Sequence, residues 1–370
     1  MISRYYVNVL YFLVLWALVR HSTWSNTLFN QIFEVLLIII AIINFRVINL
    51  KIVPLFTLNV IYLSMSSAYV LFFTNDNFLD FLLIYKFFIY AVFFCFMFQS
   101  MTLKEKVFFK FYKLFLLVFA IKYFTSSLVS DIRPRLFFEN NYELMLLSLL
   151  FYLYYSLKGS VSIIHQVVIS FVFILSKSIS GLLILVFVLI VVNHKQIIKR
   201  LHLLIPGVIG VIFSSIFVLK ERMGGEINFS QHTRFRFLEV FLDETQDWGL
   251  KNYLFGAERI SSLSETACRR LGYWQSLFSY SGDGSCYSVV LHSYVFRAIF
   301  DHGILGFIFI NYFVFKLIVK SGYLKQDGFT VVGIVLLNAL SVSSYNSVYF
   351  AIGILFYLIV RKPQPTNYYA

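Results

Sequence analysis

The residues best suited to chemistry lie in four short polar segments, each beside a long apolar run. The first segment, 131–143, carries Arg133, Arg135 and Glu139 directly before an apolar run. A guanidinium binds phosphate groups bidentately and keeps its charge, and a carboxylate can accept a proton. We therefore expect anion binding and acid–base chemistry here, with a solvated, salt-bridged loop as the alternative. Two further residues of this segment would support the site or cap a helix: Asn140 and Asn141.

A second pair of arginines lies in the long polar stretch 220–290. Arg234 and Arg236 are two residues apart. Their side chains can converge on one anion only if the segment is not a regular helix, because a helix would turn them in different directions. Arginine binds phosphates bidentately and keeps its charge, so that such a pair would suit a diphosphate better than lysines would. The alternative is that both are surface residues paired with Glu239 or Asp243.

A histidine opens the first apolar run after this stretch, at the water boundary. His292 titrates near neutral pH, which suits proton transfer, although a lone histidine is also common as a structural residue. Four residues separate Arg297 from Asp301, so that they are partners if the segment is a helix, and Gly303 predicts a break in that helix. Three residues are expected to support His292: Tyr294, Arg297 and Asp301.

The remaining polar segment, 176–181, lies between two strongly apolar runs. Serine and glycine are the residues that a tight turn between helices needs, and Lys177 is the only charge in the segment. The pattern therefore predicts a hairpin turn, with Lys177 as a further candidate for anion binding.

Motifs for metal, nucleotide or covalent catalysis do not occur in the sequence, which contains no HExxH, CxxC, GxSxG, Walker or GxGxxG pattern. We therefore expect no cofactor and no metal site. Two cysteines of the long polar stretch, Cys268 and Cys286, could form a disulfide in an oxidising compartment or stay free. Cys95 lies alone in an apolar run and is interpreted as a small hydrophobic residue.

The composition identifies the class of protein. The 370 residues are 59% hydrophobic and only 13% charged, and the mean hydropathy is +0.79. Soluble domains are about 45–50% apolar and about 25% charged, so a soluble enzyme is excluded. The net charge of +13 indicates the positive-inside rule rather than a nucleic-acid partner. We expect a single polytopic membrane domain over 1–370.

Hydropathy and charge together predict a topology. A membrane span needs about 20 apolar residues, and the chain offers about twelve windows. The loops on one side carry fourteen Lys and Arg against four on the other, which places both termini in the cytoplasm and the stretch 220–290 in the periplasm. The windows are 5–20, 29–46, 53–73, 79–98, 107–128, 142–157, 160–176, 179–193, 202–219, 303–319, 328–343 and 345–360.

Several short motifs resemble the O-antigen polymerase and O-antigen ligase superfamily. The stretch from His292 to Gly306, HSYVFRAIFDHGILG, is similar to its His-[Asn/Ser]-x-x-Leu…Gly-[Ile/Leu]-x-Gly signature. Thr233-Arg234 followed by Leu254-Phe255-Gly256 resembles the family's loop arginine and its Leu-x-Gly element. Phe138-Glu139-Asn140-Asn141 resembles its Phe-x-Asn-x-Asn segment. Two departures are Lys177-Ser178-Ile179, where the family commonly has an arginine, and Leu238 in place of an aromatic residue.

The resemblance implies a fold, a reaction and a location. The fold would be an all-α polytopic bundle similar to GT-C glycosyltransferases. The reaction would be a metal-independent, inverting glycosyl transfer at the periplasmic face of the bacterial inner membrane. Donor and acceptor would be glycans on undecaprenyl diphosphate, with membrane lipids and a chain-length-determining membrane protein as further partners. His292, the preferred choice, or Glu139 would be the base, and the arginines would hold the diphosphate.

Two other functions are compatible with the sequence. A ligase would use the same donor but transfer the glycan to lipid A-core. A flippase for lipid-linked oligosaccharides would also be polytopic and basic, but we expect such a transporter to carry repeated halves and buried charges along the bundle. The polymerase is the first interpretation.

Overall fold

The fold is described from a computed structural model, which describes residues 2–19, 27–45, 48–74, 76–129, 133–199 and 233–360. Within these ranges the chain is helical and has no strand. The predicted span 202–219, residues 220–232 and Asp131 lie outside the described residues. The helices are α1 (Ile2–Val19), α2 (Thr27–Ile43), α3 (Val53–Phe73), α4 (Phe78–Ile84), α5 (Lys86–Met97), α6 (Glu105–Val129), α7 (Asn140–Lys158), α8 (Ile163–Leu175), α9 (Ile179–Lys199), α10 (Thr233–Thr245), α11 (Leu250–Phe255), α12 (Glu265–Arg270), α13 (Tyr294–Lys320), α14 (Lys325–Ala339) and α15 (Val348–Ile359), with 3-10 turns at Gly272–Leu277, Ser288–Val290 and Ser344–Asn346.

Every apolar window within the described residues coincides with one helix or, at 79–98, with the bent pair α4 and α5. A helix satisfies its backbone polar groups internally, as an apolar environment requires. By length and composition, α3 and α13 could each cross a membrane, and α4 with α5 could form one span bent by 66°. Shorter apolar stretches lie in α1, α2, α8, α9 and α15. The chain is therefore a helical membrane-embedded protein, and its twelve spans stay a prediction.

The loops that carry the basic residues meet at one end of the bundle. The Leu103 N–H donates to the Ile359 carbonyl at 2.7 Å, and Lys320 donates through Nζ to the Lys51 carbonyl. The first contact joins the α5–α6 connection to the end of α15, and the second joins the end of α13 to the α2–α3 connection; the charge pattern assigns all of these to one side. The alternation of loops rich and poor in basic residues along the sequence is thus consistent with the arrangement of the helices.

The opposite end is built around the polar segment between α9 and α13. The Tyr287 hydroxyl donates to Asp76 at 2.7 Å, and the Ser279 hydroxyl donates to Asp80 at 2.7 Å. The short connection between α3 and α4, through Asp76, and the first turn of α4, through Asp80, therefore anchor the long segment to the bundle. The sequence places both carboxylates, in the stretch 74–80, on the same side as 220–290.

This segment has its own small apolar core, closed by a covalent link. Cys268 and Cys286 form a disulfide, the pairing that the sequence left open against two free thiols. Buried residues from α10, α12 and the loops pack around it: Phe237, Val240, Leu263, Leu271, Val290 and Leu291. The described part of the segment is therefore a folded unit rather than a solvated tail.

The break predicted at Gly303 occurs inside α13 and is filled by backbone from α11. Gly303 has a φ of 68°, and a Cβ there would lie 2.3 Å from the Leu254 carbonyl oxygen. On the facing side, Gly256 has a φ of 88°, and its Cβ would lie 2.8 Å from the Gly303 nitrogen. The Ala257 N–H donates to the Phe300 carbonyl at 2.7 Å. Two glycines thus allow two backbones to touch where the helix opens.

Candidate functional site

The loop before α7 is shaped by Glu143, a buried carboxylate in the first turn of that helix. Its oxygens accept the backbone N–H groups of Leu136 at 2.6 Å, Phe137 at 2.7 Å and Phe138 at 2.6 Å. Such donors offset the cost of burying a carboxylate. Glu143 therefore holds the loop in place and thereby positions Glu139, the residue that follows Phe138.

Glu139 is connected to the turn between α8 and α9. The Asn141 side-chain amide donates to Glu139 at 3.1 Å, and its oxygen accepts from the Ser178 hydroxyl at 2.7 Å. The neighbouring Asn140 donates to the Ser176 carbonyl at 3.0 Å. Two segments that are separate in the sequence are thus brought together. Asn141 contacts the glutamate directly, and Asn140 links the start of α7 to the turn.

Two arginines are electrostatically coupled to this glutamate. Burial raises the pKa of Glu139 above its ordinary value, although the Asn141 hydrogen bond and the charges of Arg133 and Arg234 counteract the rise. Burial lowers the pKa of Arg133, which Glu139 partly restores. Burial and the charge of Arg133 lower the pKa of Arg234. Both guanidiniums remain cationic near neutral pH, because the ordinary pKa of arginine lies far above 7. The three residues therefore form a net positive cluster.

His292 lies half-buried against aromatic rings of the segment between α9 and α13. Its ring centroid is 5.1 Å from that of Phe237 and 6.2 Å from that of Trp274. Burial lowers the pKa of His292, and the charges of Arg297 and Arg234 lower it further, to about 4. The imidazole is therefore neutral at pH 7 and a weaker base than an ordinary histidine.

One cavity of about 260 Å³ brings the predicted catalytic residues together. Glu139, His292 and Arg297 all line it. An ion pair between Lys86 and Glu34, with a nitrogen–oxygen distance of 2.5 Å, lines the same cavity. Charged groups from α2, α5, α13 and the loop before α7 thus surround a space that could hold a small anionic or hydroxyl-bearing group.

The expected ion pair between Arg297 and Asp301 is wrong. Arg297 donates from Nη1 to the Ser343 hydroxyl at 2.5 Å and from Nη2 to the Leu83 carbonyl at 3.4 Å. Asp301 instead accepts from the Ser288 hydroxyl at 2.5 Å. Neighbouring segments provide these partners, so that the i,i+4 spacing on α13 does not decide the pairing. Within the described residues the Arg297 Nε is buried without a hydrogen bond.

The convergence of Arg234 and Arg236, which the sequence made conditional on an irregular segment, does not occur, because α10 is a regular helix. Two positions along a helix are about 200° apart, so that Arg234 is half-buried beside the cluster while Arg236 is exposed. Arg135 is exposed as well. Glu239 forms an ion pair with Arg270 at 3.2 Å. The alternative partner suggested for Arg234 and Arg236 is therefore paired with a different arginine.

Lys177 and Tyr294 occupy supporting positions. Lys177 is half-buried in a turn between α8 and α9 and has a positive φ of 51°, as the serine-rich segment predicted. Tyr294 is buried, and its ring centroid is 4.9 Å from that of Tyr345. Neither residue lines the cavity around Glu139.

Sequence reasoning missed one polar wall of the cavity. Asn346 donates to the Leu83 carbonyl at 3.0 Å and accepts from the Phe87 N–H at 3.0 Å. The signal was the serine- and asparagine-rich stretch 341–347, which overlaps the junction of the apolar windows 328–343 and 345–360. Three residues of this stretch line the cavity: Ser343, Asn346 and Ser347.

Comparisons of the chain with protein-family models, curated proteins and solved structures find no significant match. Across the part of the chain that the structure describes, no group of three or more His, Cys, Asp or Glu side chains could hold a metal ion.

Proposed function

We propose that the chain is an O-antigen polymerase, a glycosyltransferase that joins oligosaccharide repeat units carried on undecaprenyl diphosphate. The observation that supports this function best is the convergence of Glu139, His292 and Arg297 at one cavity, with Arg133 and Arg234 coupled electrostatically to Glu139. These residues come from three separate segments. A carboxylate beside several guanidiniums provides a proton acceptor next to an anion site.

The arginines would bind the diphosphate leaving group. Arg133 and Arg234 stay charged throughout the reaction, and a guanidinium matches the geometry of phosphate oxygens. As the bond between the anomeric carbon and the diphosphate oxygen breaks, negative charge develops on that oxygen. Removing one preorganised donor for such a charge typically costs about 10²–10³ in rate.

Glu139 would act as the general base. The acceptor hydroxyl attacks the anomeric carbon of the donor, its proton passes to the carboxylate, and the lipid diphosphate leaves from the opposite face with inversion. A base is most effective when its pKa approaches the working pH. The raised pKa of Glu139 fits this role better than the lowered pKa of His292, which reverses the preference drawn from the sequence. His292 would then contact the acceptor as a neutral group.

The test is the lipopolysaccharide banding pattern of a deletion strain that expresses wild-type or variant protein at matched levels. Arg234→Ala should leave core with a single repeat unit, whereas Arg236→Ala, a charge loss on the exposed face of the same helix, should restore the full ladder. Long polymer detached from core would instead identify a ligase. Repeat units that never reach the outer face would identify a transporter, and equal ladders for both variants would contradict the proposed site.

A further inference from the structure

A second and larger cavity of about 760 Å³ lies away from the Glu139 cavity, between α3 and α13. On α3 it is lined at Leu58, Tyr62, Met65 and Tyr69, a spacing of three to four residues that marks one face of a helix. This face extends over about 16 Å at 1.5 Å per residue. Phe88 of α5 lines the cavity between the two helices. We call this space the α3–α13 groove.

The facing wall on α13 follows the same period. Its lining residues are His302, Leu305, Gly306 and Phe309. Leu305 is 45% exposed, and several apolar residues of α3 are exposed as well. Because these helices are long and apolar enough to cross a membrane, their exposed apolar faces would meet lipid chains, and the groove is open to them.

One end of the groove is polar and carries cations from the segment around α11. Lys251 and Arg259 both line it, and the Arg259 guanidinium lies over the Tyr62 ring at 5.4 Å. Stacking on an aromatic ring holds a guanidinium in place and leaves its donors available. Within the described ranges, no carboxylate lies within ion-pair distance of Arg259.

Two acidic residues also line this end, and neither neutralises Arg259 directly. Asp301 is buried and accepts a hydrogen bond from the Ser288 hydroxyl at 2.5 Å, while Glu258 is exposed. His302 is fixed by a hydrogen bond between its Nδ1 and the Tyr62 hydroxyl at 2.9 Å. The groove therefore combines a long apolar wall with a fixed guanidinium at one end.

We propose that the α3–α13 groove binds one lipid with a phosphate-bearing head group of net negative charge. Its hydrocarbon chain lies between α3 and α13, and its phosphate contacts Arg259 and Lys251. The volume falls in the range of about 300–1,000 Å³ that is usual for ligand sites. Two sources share this chemistry, an anionic membrane phospholipid and a long-chain polyprenyl phosphate. The site is separate from the Glu139 cavity and does not depend on the proposed glycosyl transfer.

The experiment is a lipid titration of the purified, delipidated full-length protein, followed by native mass spectrometry. Phosphatidylglycerol should bind one saturable site at least about tenfold more tightly than phosphatidylcholine, because the choline ammonium of phosphatidylcholine offsets the charge of its phosphate and would lie close to Arg259 and Lys251. Inorganic phosphate alone should not compete at the same concentrations, because it lacks the chain. Competition between phosphatidylglycerol and a polyprenyl phosphate then identifies which source the site prefers.

Matched variants locate the binding site. Leu58 and Leu71 are leucines of α3 that are both 58% exposed, but only Leu58 lines the groove. Leu58→Trp should weaken binding of both lipid types, and Leu71→Trp should not. Arg259→Gln should remove the preference for the anionic head group, whereas Arg269→Gln, an exposed charge loss in the same segment, should keep it. Equal binding of both phospholipids, or equal behaviour within either variant pair, would overturn the proposal.

Discussion

Glu139 and His292 line the same cavity, but their surroundings shift their pKa values in opposite directions. Burial raises the pKa of the carboxyl group, since burial disfavours its charged form. Burial and two nearby guanidiniums lower the pKa of the imidazole to about 4. The titration of Glu139 is therefore shifted toward neutral pH, whereas that of His292 is shifted away from it.

This difference predicts the pH dependence of the transfer reaction. A general base must be unprotonated, so the rate should rise with pH through the raised pKa of Glu139 and then level off. Glu139→Gln should lower the rate by about 10²–10⁴ and remove this acidic limb. The measurement is the initial rate of the full-length protein in detergent with a lipid-linked repeat unit, taken at a series of pH values.

His292→Asn is the matched comparison for this profile. It should lower the rate but keep the acidic limb at the same pH, because His292 is already neutral there. A limb that disappears with His292→Asn and persists in Glu139→Gln would show that the histidine is the base and that the carboxylate only supports it.

For single residues, the sequence singled out segments that lie close together in the structure but did not specify the contacts of their side chains. Phe138, Glu139 and His292, all from segments named in the sequence analysis, line one cavity. Glu143 was not singled out, because its three backbone donors come from a loop conformation that residue spacing does not specify. The pairing of Arg297 with Ser343 depends on which helices are neighbours in the fold, and the sequence around Arg297 does not specify those neighbours.

Among the elements, the broken helix α13 and the short helix α11 form one structural unit. Gly303 and Gly256 both have positive φ and lie backbone against backbone. The contact fixes the position of Asp301 and His302, which line the α3–α13 groove. The geometry of that groove therefore depends on two residues without side chains.

Substituting these glycines should separate the cost of steric overlap from the cost of backbone strain. Gly303→Ala should destabilise the protein by about 4 kcal/mol or more, an exceptional value, because its Cβ would lie 2.3 Å from the Leu254 carbonyl oxygen. Gly322→Ala is the control, since Gly322 has a φ of 100° but open space around it. It should cost only about 1–2 kcal/mol, the penalty of the left-handed conformation alone.

The measurement is the thermal unfolding midpoint of each variant in the same detergent, together with the yield of monodisperse protein. Similar losses for the two variants would mean that the close contact between α11 and α13 contributes little to stability.

The elements themselves were largely predictable. Long apolar windows such as 53–73 form helices because a helix satisfies the hydrogen bonds of its own backbone in an apolar environment. The glycine at 303 correctly predicted the break in α13. The course of α10 was not predictable in the same way. Its mixed residues allow either a loop, in which Arg234 and Arg236 converge, or a helix, in which they diverge, and packing of Phe237 and Val240 into the small core favours the helix.

For the whole molecule, the two ends of the helical bundle differ in charge and in structure. One end joins short connections that are rich in lysine, such as those at Lys51 and Lys320. The other end carries the candidate site and the segment closed by the disulfide of Cys268 and Cys286. The positive-inside rule predicts that the first end faces the cytoplasm, and a disulfide is typical of an oxidising compartment on the other side.

Labelling of single cysteines in intact cells with a membrane-impermeant maleimide tests this orientation. Wild-type protein should remain unlabelled, because Cys95 is buried and the other two cysteines are paired. Tyr273→Cys, at a residue that is 87% exposed in the segment between α9 and α13, should be labelled from outside. Leu324→Cys, at a residue that is 61% exposed between α13 and α14, should be labelled only after the cells are permeabilised. The reverse pattern would place the Glu139 cavity on the cytoplasmic side of the membrane. A repeat unit that has already been exported could not reach a cavity on that side. This result would therefore contradict the proposed polymerase.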